Sequence, residues 1–536
     1  MTPRPLRSLS PFGLVLAAAC SSAHYAADAD REVADVLAEA TTRTLGDRER
    51  NLLRPETEPL PTAEPVPAPG TTPTGEPPAS AAPAAPPEPI DLRRALALAT
   101  KQNRDFLSRR EALYQSGLSI ALTRFQFGPQ FAAAVSYLWP RSENGGESHQ
   151  LGTNWAVSQI LPTGGNIALN TGVDASWPFG NGAGDPTYGT SASVTLSQPL
   201  LAGFGHDIAY EPLTAAERAL TYAVRDFEEF RQGFSIRIAE QFFQLRSQKQ
   251  TLANEDKNYD SAVFDRKRAE ALVQVGRDSE QTVFLARRRE IEAKDQLINA
   301  RAAYERAVDD FKLQLGLPTT AAIEIADGEP PYDPVRFEVT SAVSAALHNR
   351  LDLITQRQQV EDSERQLKIA ENALLPDLSL VASFGTAGNG NDLGHAPPDE
   401  WSSSVGLAMD IPLQRKSQRN SLRNAQIGLE QARRGLRLRE EQIELDIRDA
   451  VRKLRSTEER IALQEDQIAQ EQRAVTVTEI RYEAGDVTNR ELLEARQALV
   501  DARNALIRLK VDHSIARLRL LQDMGVFFVD AEGMWR

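Results

Sequence analysis

Hydrophobic residues recur every seven positions near the end of the chain. Leu492, Leu499, Leu506 and Leu520 hold one register, and Ala495, Ala502, Leu509 and Ala516 hold a second. This is coiled-coil patterning, and a seven-residue repeat kept so long predicts helices that supercoil rather than lie straight. An earlier stretch carries Ala286, Ala293, Ala300 and Ala307, four alanines seven apart that let helix backbones approach closely. Elsewhere the period falls to two. Phe131, Ala133, Val135, Tyr137 and Trp139 share one face, as do Val405, Leu407, Met409 and Ile411, which is the alternation of strands.

From residue 90 onward the pattern is written twice. "IDLRRALALATKQNRDFL" leads to Pro129 and "VTSAVSAALHNRLDLI" leads to Pro376, and both repeats continue to a Pro-Leu pair, Pro199-Leu200 and Pro412-Leu413. Beyond these pairs the offset is fixed at 209 residues: 238–247 matches 447–456, Gly276 matches Gly485, and Leu315-Gly316-Leu317 matches Met524-Gly525-Val526. Three landmarks at one offset mark an internal duplication. The strand candidates lie between the two prolines of each repeat. The second repeat has room for two, 377–385 and 402–412. The first holds two additional ones, 154–161 and 166–176, joined by the tight turn Pro162-Thr163-Gly164-Gly165.

Lengths constrain how the helices pack. Residues 414–484 predict a helix of roughly 105 Å, whereas the return over 487–524 reaches only roughly 57 Å. Each repeat also opens with a single helix, 91–128 and 339–375, so two short helices stacked end to end match one long one. Gly276 and Gly485 then sit where a long outbound helix reverses into a short return, since glycine costs a helix interior ~1 kcal/mol relative to alanine.

Composition narrows the class. Of 536 residues, 41% are hydrophobic but only 6% aromatic, so the core is drawn mainly from Ala and Leu, which suits long helices. A net charge of −14 argues against a nucleic-acid partner. Six scattered histidines and one cysteine give no metal-ligand spacing, no Ser-His-Asp arrangement stands out, and neither a cofactor nor an enzymatic activity is expected. The glycines of "TAGNGNDLG" (386–394) lack the strand-to-helix context of a phosphate loop and read as an exposed hairpin loop. At the N-terminus Arg4 and Arg7 precede the apolar run "FGLVLAAA" and Cys20, which reads as a signal peptide (1–20) ending in a candidate lipid-anchor cysteine. A polar segment (21–54) and a Pro/Ala-rich linker (55–89) follow. No apolar run approaches the ~20 residues of a transmembrane helix, so any membrane crossing falls to strands.

The doubled order of helix, strands, long helix, glycine turn and short helix, with "LSQPLLAGFG" (196–205) after the strands and "RYEAG" (481–485) before the second turn, resembles the TolC family of trimeric outer-membrane efflux ducts. The resemblance covers residues 90–527, as a first repeat (90–318), a connection (319–338) and a second repeat (339–527), with a tail (528–536). It implies a mainly α fold with membrane β: a long coiled-coil α-barrel in the periplasm and an outer-membrane β-barrel shared between three subunits. It also implies an exit duct that receives cargo from an inner-membrane transporter through a periplasmic adaptor. A structural periplasmic coiled-coil lipoprotein without a channel is the alternative.

By position, the resemblance makes Val275, Gly276 and Arg277 one adaptor-docking turn, and Ala484, Gly485 and Asp486 the other. Tyr482, Glu491 and Glu494 occupy the positions of a closed periplasmic aperture, although Thr282 and Val487 stand where the family places an acidic residue and an arginine. The family usually supplies four strands per subunit. The additional hairpin here either enlarges the barrel or folds over it.

Overall fold

The computed structural model describes residues 22–46, 89–141, 146–180, 184–276, 279–328, 332–392 and 400–535. The expected signal peptide, Cys20, Arg277 and nearly all of the Pro/Ala-rich linker lie outside them. In chain order the elements are α1 (Ser22–Leu45), α2 (Leu92–Gln102), α3 (Arg104–Phe127), β1 (Gln130–Leu138), β2 (Gly146–Ile160), β3 (Asn166–Gly180), β4 (Thr187–Pro199) and α4 (His206–Ala209). There follow α5 (Glu211–Gln274), α6 (Glu280–Leu315), α7 (Val339–Asn349), α8 (Leu351–Asn372), β5 (Asp377–Gly390), β6 (Glu400–Asp410), α9 (Lys416–Ala484) and α10 (Asn489–Asp523). They fall into two compact units.

The first unit contains the sheet, α1, and the helical residues 113–127, 211–224, 355–372 and 416–437. All six strands form one antiparallel sheet in the order β1-β2-β3-β4-β5-β6. β5 runs through residues 386–390, which pair with β4, so part of the stretch read as a loop is strand. The chain leaves the sheet through Pro199–Gly205, where Gly203 N–H donates to Asn372 Oδ1 at 2.8 Å. Nearby, Arg365 pairs with Glu211 at 2.9 Å and Tyr222 donates to Asp362 at 2.6 Å.

The polar N-terminal segment holds a helix. Val33, Val36 and Leu37 of α1 are buried, and Tyr114 of α3 donates to Asp30 at 2.5 Å while Arg124 reaches Glu39 at 3.1 Å. These two pairs advance together along both chains, so α1 runs parallel to α3 and toward β1. Ser22 is therefore the end of α1 farther from the sheet.

The second unit holds the apolar core. Leu96, Phe106, Phe234, Ile238, Phe242, Phe311, Leu315 and Phe527 are buried together, with Phe106 and Phe234 rings 5.1 Å apart. The connection between the repeats is tied in by a parallel bridge between Ile90 and Ile325. The heptad positions Leu492, Leu499, Ala502, Leu509, Ala286 and Ala293 are buried, and so are Ile443, Ile447, Val451 and Ile461 of the outbound helix.

One expectation needs correcting. The opening stretch of each repeat is two helices, broken by a single extended residue: Asn103 (φ −67°, ψ 127°) and Arg350 (φ −63°, ψ 124°). Each break meets a left-handed glycine that ends the return helix. A Cβ on Gly316 would lie 2.3 Å from Gln102 O, and one on Gly525 2.8 Å from Asn349 C. Side chains hold the same junctions: Asn103 Nδ2 donates to Gln314 O at 2.7 Å, its Oδ1 accepts from Phe106 N–H at 3.0 Å, and Arg350 pairs with Asp352 at 3.0 Å. Neither break carries a proline or glycine, which is why periodicity passes over it.

Candidate functional site

The ladders separate the sheet into two chemically distinct faces. One carries Phe131, Ala133, Val135 and Tyr137 of β1, opposite Val157, Trp155, Thr153 and Leu151 of β2. Ile167, Leu169 and Val173 of β3 continue it, then Leu196, Val194 and Thr190 of β4. Leu378, Leu380, Ala382 and Phe384 of β5 and Met409, Leu407 and Val405 of β6 complete it. The opposite face carries Ser136, Asn154, Gly152, Asn170, Asp174, Ser191, Ser193, Ser383, Ser404 and Gly406, which are small or polar. Phe131 and Val405 are 79% and 78% exposed, far too open for large apolar residues facing water in such a continuous band. Apolar-out, polar-in alternation on strands of 9 to 15 residues is what a bilayer-spanning barrel wall requires. At the strand ends farthest from the helices the apolar face turns aromatic, with Tyr137, His149, Trp177, Phe179, Tyr188 and Trp401. His149 stacks on Phe179 at 4.6 Å and Trp177 Nε1 donates to Tyr188 at 3.2 Å. Amphipathic rings of this kind favour the membrane–water interface.

The second unit presents two helix-reversing turns. Gly276 (φ +72°) and Gly485 (φ +82°) both adopt the left-handed conformation with nothing within 4 Å of an added Cβ, and Val275, Ala484 and Asp486 are exposed. At the second turn Gly485 N–H donates to Tyr482 O at 3.1 Å and Asp486 N–H to Arg481 O at 2.9 Å, the Schellman pattern that satisfies the last carbonyls of a helix. The following helix starts on a capping box: Glu491 accepts from Thr488 N–H at 3.2 Å while Thr488 accepts from the Glu491 backbone. That Thr-x-x-Glu spacing is legible in the sequence, and it gives Glu491 a local structural task. Glu494 is exposed and lies 3.5 Å from Arg490. Tyr482 is half-buried beneath the Arg268 guanidinium, 5.2 Å from its ring centre, and Arg268 also reaches Glu483 at 3.7 Å. Tyr482, Glu491 and Glu494 thus all lie within three turns of Gly485.

A cluster that the sequence reading missed lies behind this turn. Arg496 of α10 bridges Asp265 of α5 at 2.6 Å and Glu479 of α9 at 2.7 Å. The Asp265 side chain is only 6% exposed, and burial raises its pKa above the ordinary carboxylate range although Arg496 pulls the other way. Burial lowers the Arg496 pKa, but hydrogen bonds and charge from Glu479 and Asp265 outweigh it and hold the guanidinium charged. A polar network extends the seam, with Asn254 donating to Asn504 at 2.6 Å and Asn504 to Glu255 at 3.2 Å. An arginine between heptad leucines was the available signal.

Among the described residues no helix is long and apolar enough to cross a membrane. The expected lipid-anchor residue, Cys20, lies outside the described residues.

Residues 342–526 match the family model described as outer membrane efflux protein. The chain is 24% identical over 352 residues to the outer membrane efflux protein BepC of Brucella suis biovar 1, covering 65% of this chain and 74% of that one. It is 26% identical over 243 residues to the alkaline protease secretion protein AprF of Pseudomonas aeruginosa, covering 44% and 49%. The fold is shared with the Campylobacter jejuni CmeC outer membrane channel at a TM-score of 0.61 and 16% identity, over 81% of this chain and 85% of that one. VceC of Vibrio cholerae, an outer membrane protein, gives 0.59 and 16% over 81% and 96%. The segment 342–526 thus belongs to the outer membrane efflux protein family, a family of channels, and the chemistry of the two sheet faces agrees: the chain has the fold of TolC-like outer-membrane channels and is an exit duct of tripartite efflux or secretion systems that sits in the outer membrane with its helical part in the periplasm.

Proposed function

We propose that the duct works as a homotrimer that meets a periplasmic adaptor at the turns around Gly276 and Gly485, and receives cargo from an inner-membrane transporter through that contact. The observation that carries an oligomer is a sheet too small to close alone: the six strands among the described residues fall short of the eight in the smallest membrane barrels, and three copies is the number that the resemblance implies. The helices leave a second unfinished surface. Phe284, Ile291 and Ile298 of α6 are exposed and seven residues apart, a coiled-coil seam left uncovered among the described residues. A channel-free periplasmic scaffold has no use for the lipid-facing band. Mass photometry of detergent-solubilised protein is expected to give three chains; a stable monomer with full β content overturns the reading.

Val275, Gly276 and Arg277, with Ala484, Gly485 and Asp486, form the proposed docking surface. Open space around both glycines leaves room for a partner and makes the turn tolerant of substitution. Gly485→Trp is expected to cost only about 1–2 kcal/mol, from forcing a side chain into the left-handed region, and to leave the oligomer intact. Export is expected to be lost. Normal export by an assembled variant sinks the docking assignment.

Tyr482, Glu491 and Glu494 are proposed to line the periplasmic aperture, with threefold symmetry bringing six carboxylates around the axis. Crowded carboxylates in a constriction attract cations, and Arg490 beside Glu494 moderates the effect. In planar bilayers the E491Q/E494Q variant is expected to lose cation preference and block by multivalent metal ions. Unchanged currents assign the aperture to other residues.

A further inference from the structure

We infer that three subunits close an eighteen-stranded outer-membrane barrel, half as large again in circumference as the twelve strands that four per subunit would give. This rests on the homotrimer proposed above and adds the size of the exit. The first observation is the position of the β2–β3 hairpin. It is inserted between β1 and β4, with continuous ladders on both sides, so it is wall rather than a flap across the mouth.

Its chemistry is in phase with that wall. Trp155, Val157, Ile167, Leu169 and Val173 fall on the apolar face set by β1, β5 and β6, while Asn154, Gly152, Asn170 and Asp174 fall on the polar one. A slip of one residue in either strand would exchange its faces. A hairpin lying in water would be under no such constraint.

The turn of the hairpin is built into the junction between sheet and helices. Leu161 N–H donates to Gly165 O at 2.7 Å, Gly205 N–H to Thr163 O at 3.1 Å, and Gln198 Nε2 to Thr163 O at 3.1 Å. Gly164 (φ +89°) packs so closely that an added Cβ would lie 2.3 Å from Gly203 O. The hairpin therefore starts level with the ends of β4 and β5 and spans the full height of the sheet.

Among the described residues β1 and β6 each pair on one side only. In hydrocarbon an open strand edge leaves backbone groups unsatisfied at several kcal/mol each, so each edge needs a partner. Because each subunit contributes an even number of alternating strands, β1 of one meets β6 of the next in the antiparallel sense, and a second copy of this chain completes the edge without reversing the pattern. With strands ~4.8 Å apart and tilted ~40°, eighteen give a backbone-to-backbone diameter of about 36 Å, against about 24 Å for twelve. The inward residues are mostly Ser, Asn, Gly, Ala and Thr, so little of that width is filled. The bore admits a helical polypeptide of about 10–12 Å diameter with room to spare.

The test uses the full-length trimer in lipid nanodiscs, in a Cys20→Ser background. Nitroxides placed singly along 151–158 and 167–174 report accessibility to oxygen, which partitions into lipid, and to a water-soluble nickel chelate. Cysteine pairs joining 132, 134 or 136 to 402, 404 or 406 report contact between the edges of neighbouring subunits. Accessibility is expected to alternate with period two, oxygen dominating at 155, 157, 169 and 173 and nickel at 154, 170 and 172. One diagonal of pairs is expected to crosslink chains into dimers and trimers. A trimer in which every hairpin position is nickel-accessible, or in which β1 fails to crosslink to β6 of its neighbour, overturns the eighteen-stranded wall and leaves the trimeric duct standing. Absence of a trimer overturns both.

Discussion

Arg496→Ala is expected to destabilise the helical unit by about 3–5 kcal/mol, the cost of leaving a buried charge without its partner. Asp265 is nearly enclosed and its negative charge is held mainly by Arg496, 2.6 Å away. The sign of the pH effect follows from Asp265, whose folded pKa lies above the ordinary carboxylate value. A carboxyl raised on folding binds more protons in the native state, so stability falls as pH rises from the ordinary range through the raised value. Losing Arg496 removes the opposing attraction and widens that interval. The variant is therefore expected to unfold at a lower temperature at neutral pH and to recover part of the loss in mild acid. Adding Asp265→Asn to Arg496→Ala removes the buried charge and should restore stability with little dependence on pH. Thermal unfolding followed by far-UV circular dichroism at several pH values measures both. A single variant as stable as the parent at neutral pH would mean that Asp265 is solvated in the assembled duct.

Gly316→Ala is the second large effect, expected at about 3–4 kcal/mol. Of this, about 1–2 kcal/mol comes from the left-handed backbone and the rest from moving the Gln102 carbonyl out of the way. The added methyl would lie 2.3 Å from that oxygen, which belongs to the backbone and cannot swing aside. Gly485→Ala, with a similar φ and open space around it, is expected to cost only the conformational share. The difference in melting temperature between these two alanine variants isolates the steric part. Equal losses would show that the break at Asn103 gives way easily.

The division between what was legible and what was not follows the range of the interactions. The duplication, the coiled-coil stripes and the two glycine turns are local or periodic, and one pass along the chain exposes them because each residue's preference there is set by its neighbours within a few turns. The same holds for the Thr488–Glu491 capping box, which local spacing encodes although the sequence reading placed Glu491 only at an aperture. Asn103 and Arg350 were missed because the reason each interrupts a helix lies more than a hundred residues away, at Gln314 and Asp523. The polar N-terminal segment concealed α1, whose short apolar stripe of Val33, Val36 and Leu37 becomes meaningful only against Gly117 of α3.

The sequence by itself determined that strands at 154–161 and 166–176 exist and that each has an apolar side. It left open whether they join the wall or cover it, because alternation fixes which side chains share a face but not which strand lies alongside. Only the tertiary structure decided that, by pairing β2 with β1 and β3 with β4 and so bringing their apolar residues onto the face already shared by β1, β4, β5 and β6. Strand pairing joins residues far apart in the chain through backbone groups that are the same at every position, so the sequence carries the faces and the fold supplies the neighbours.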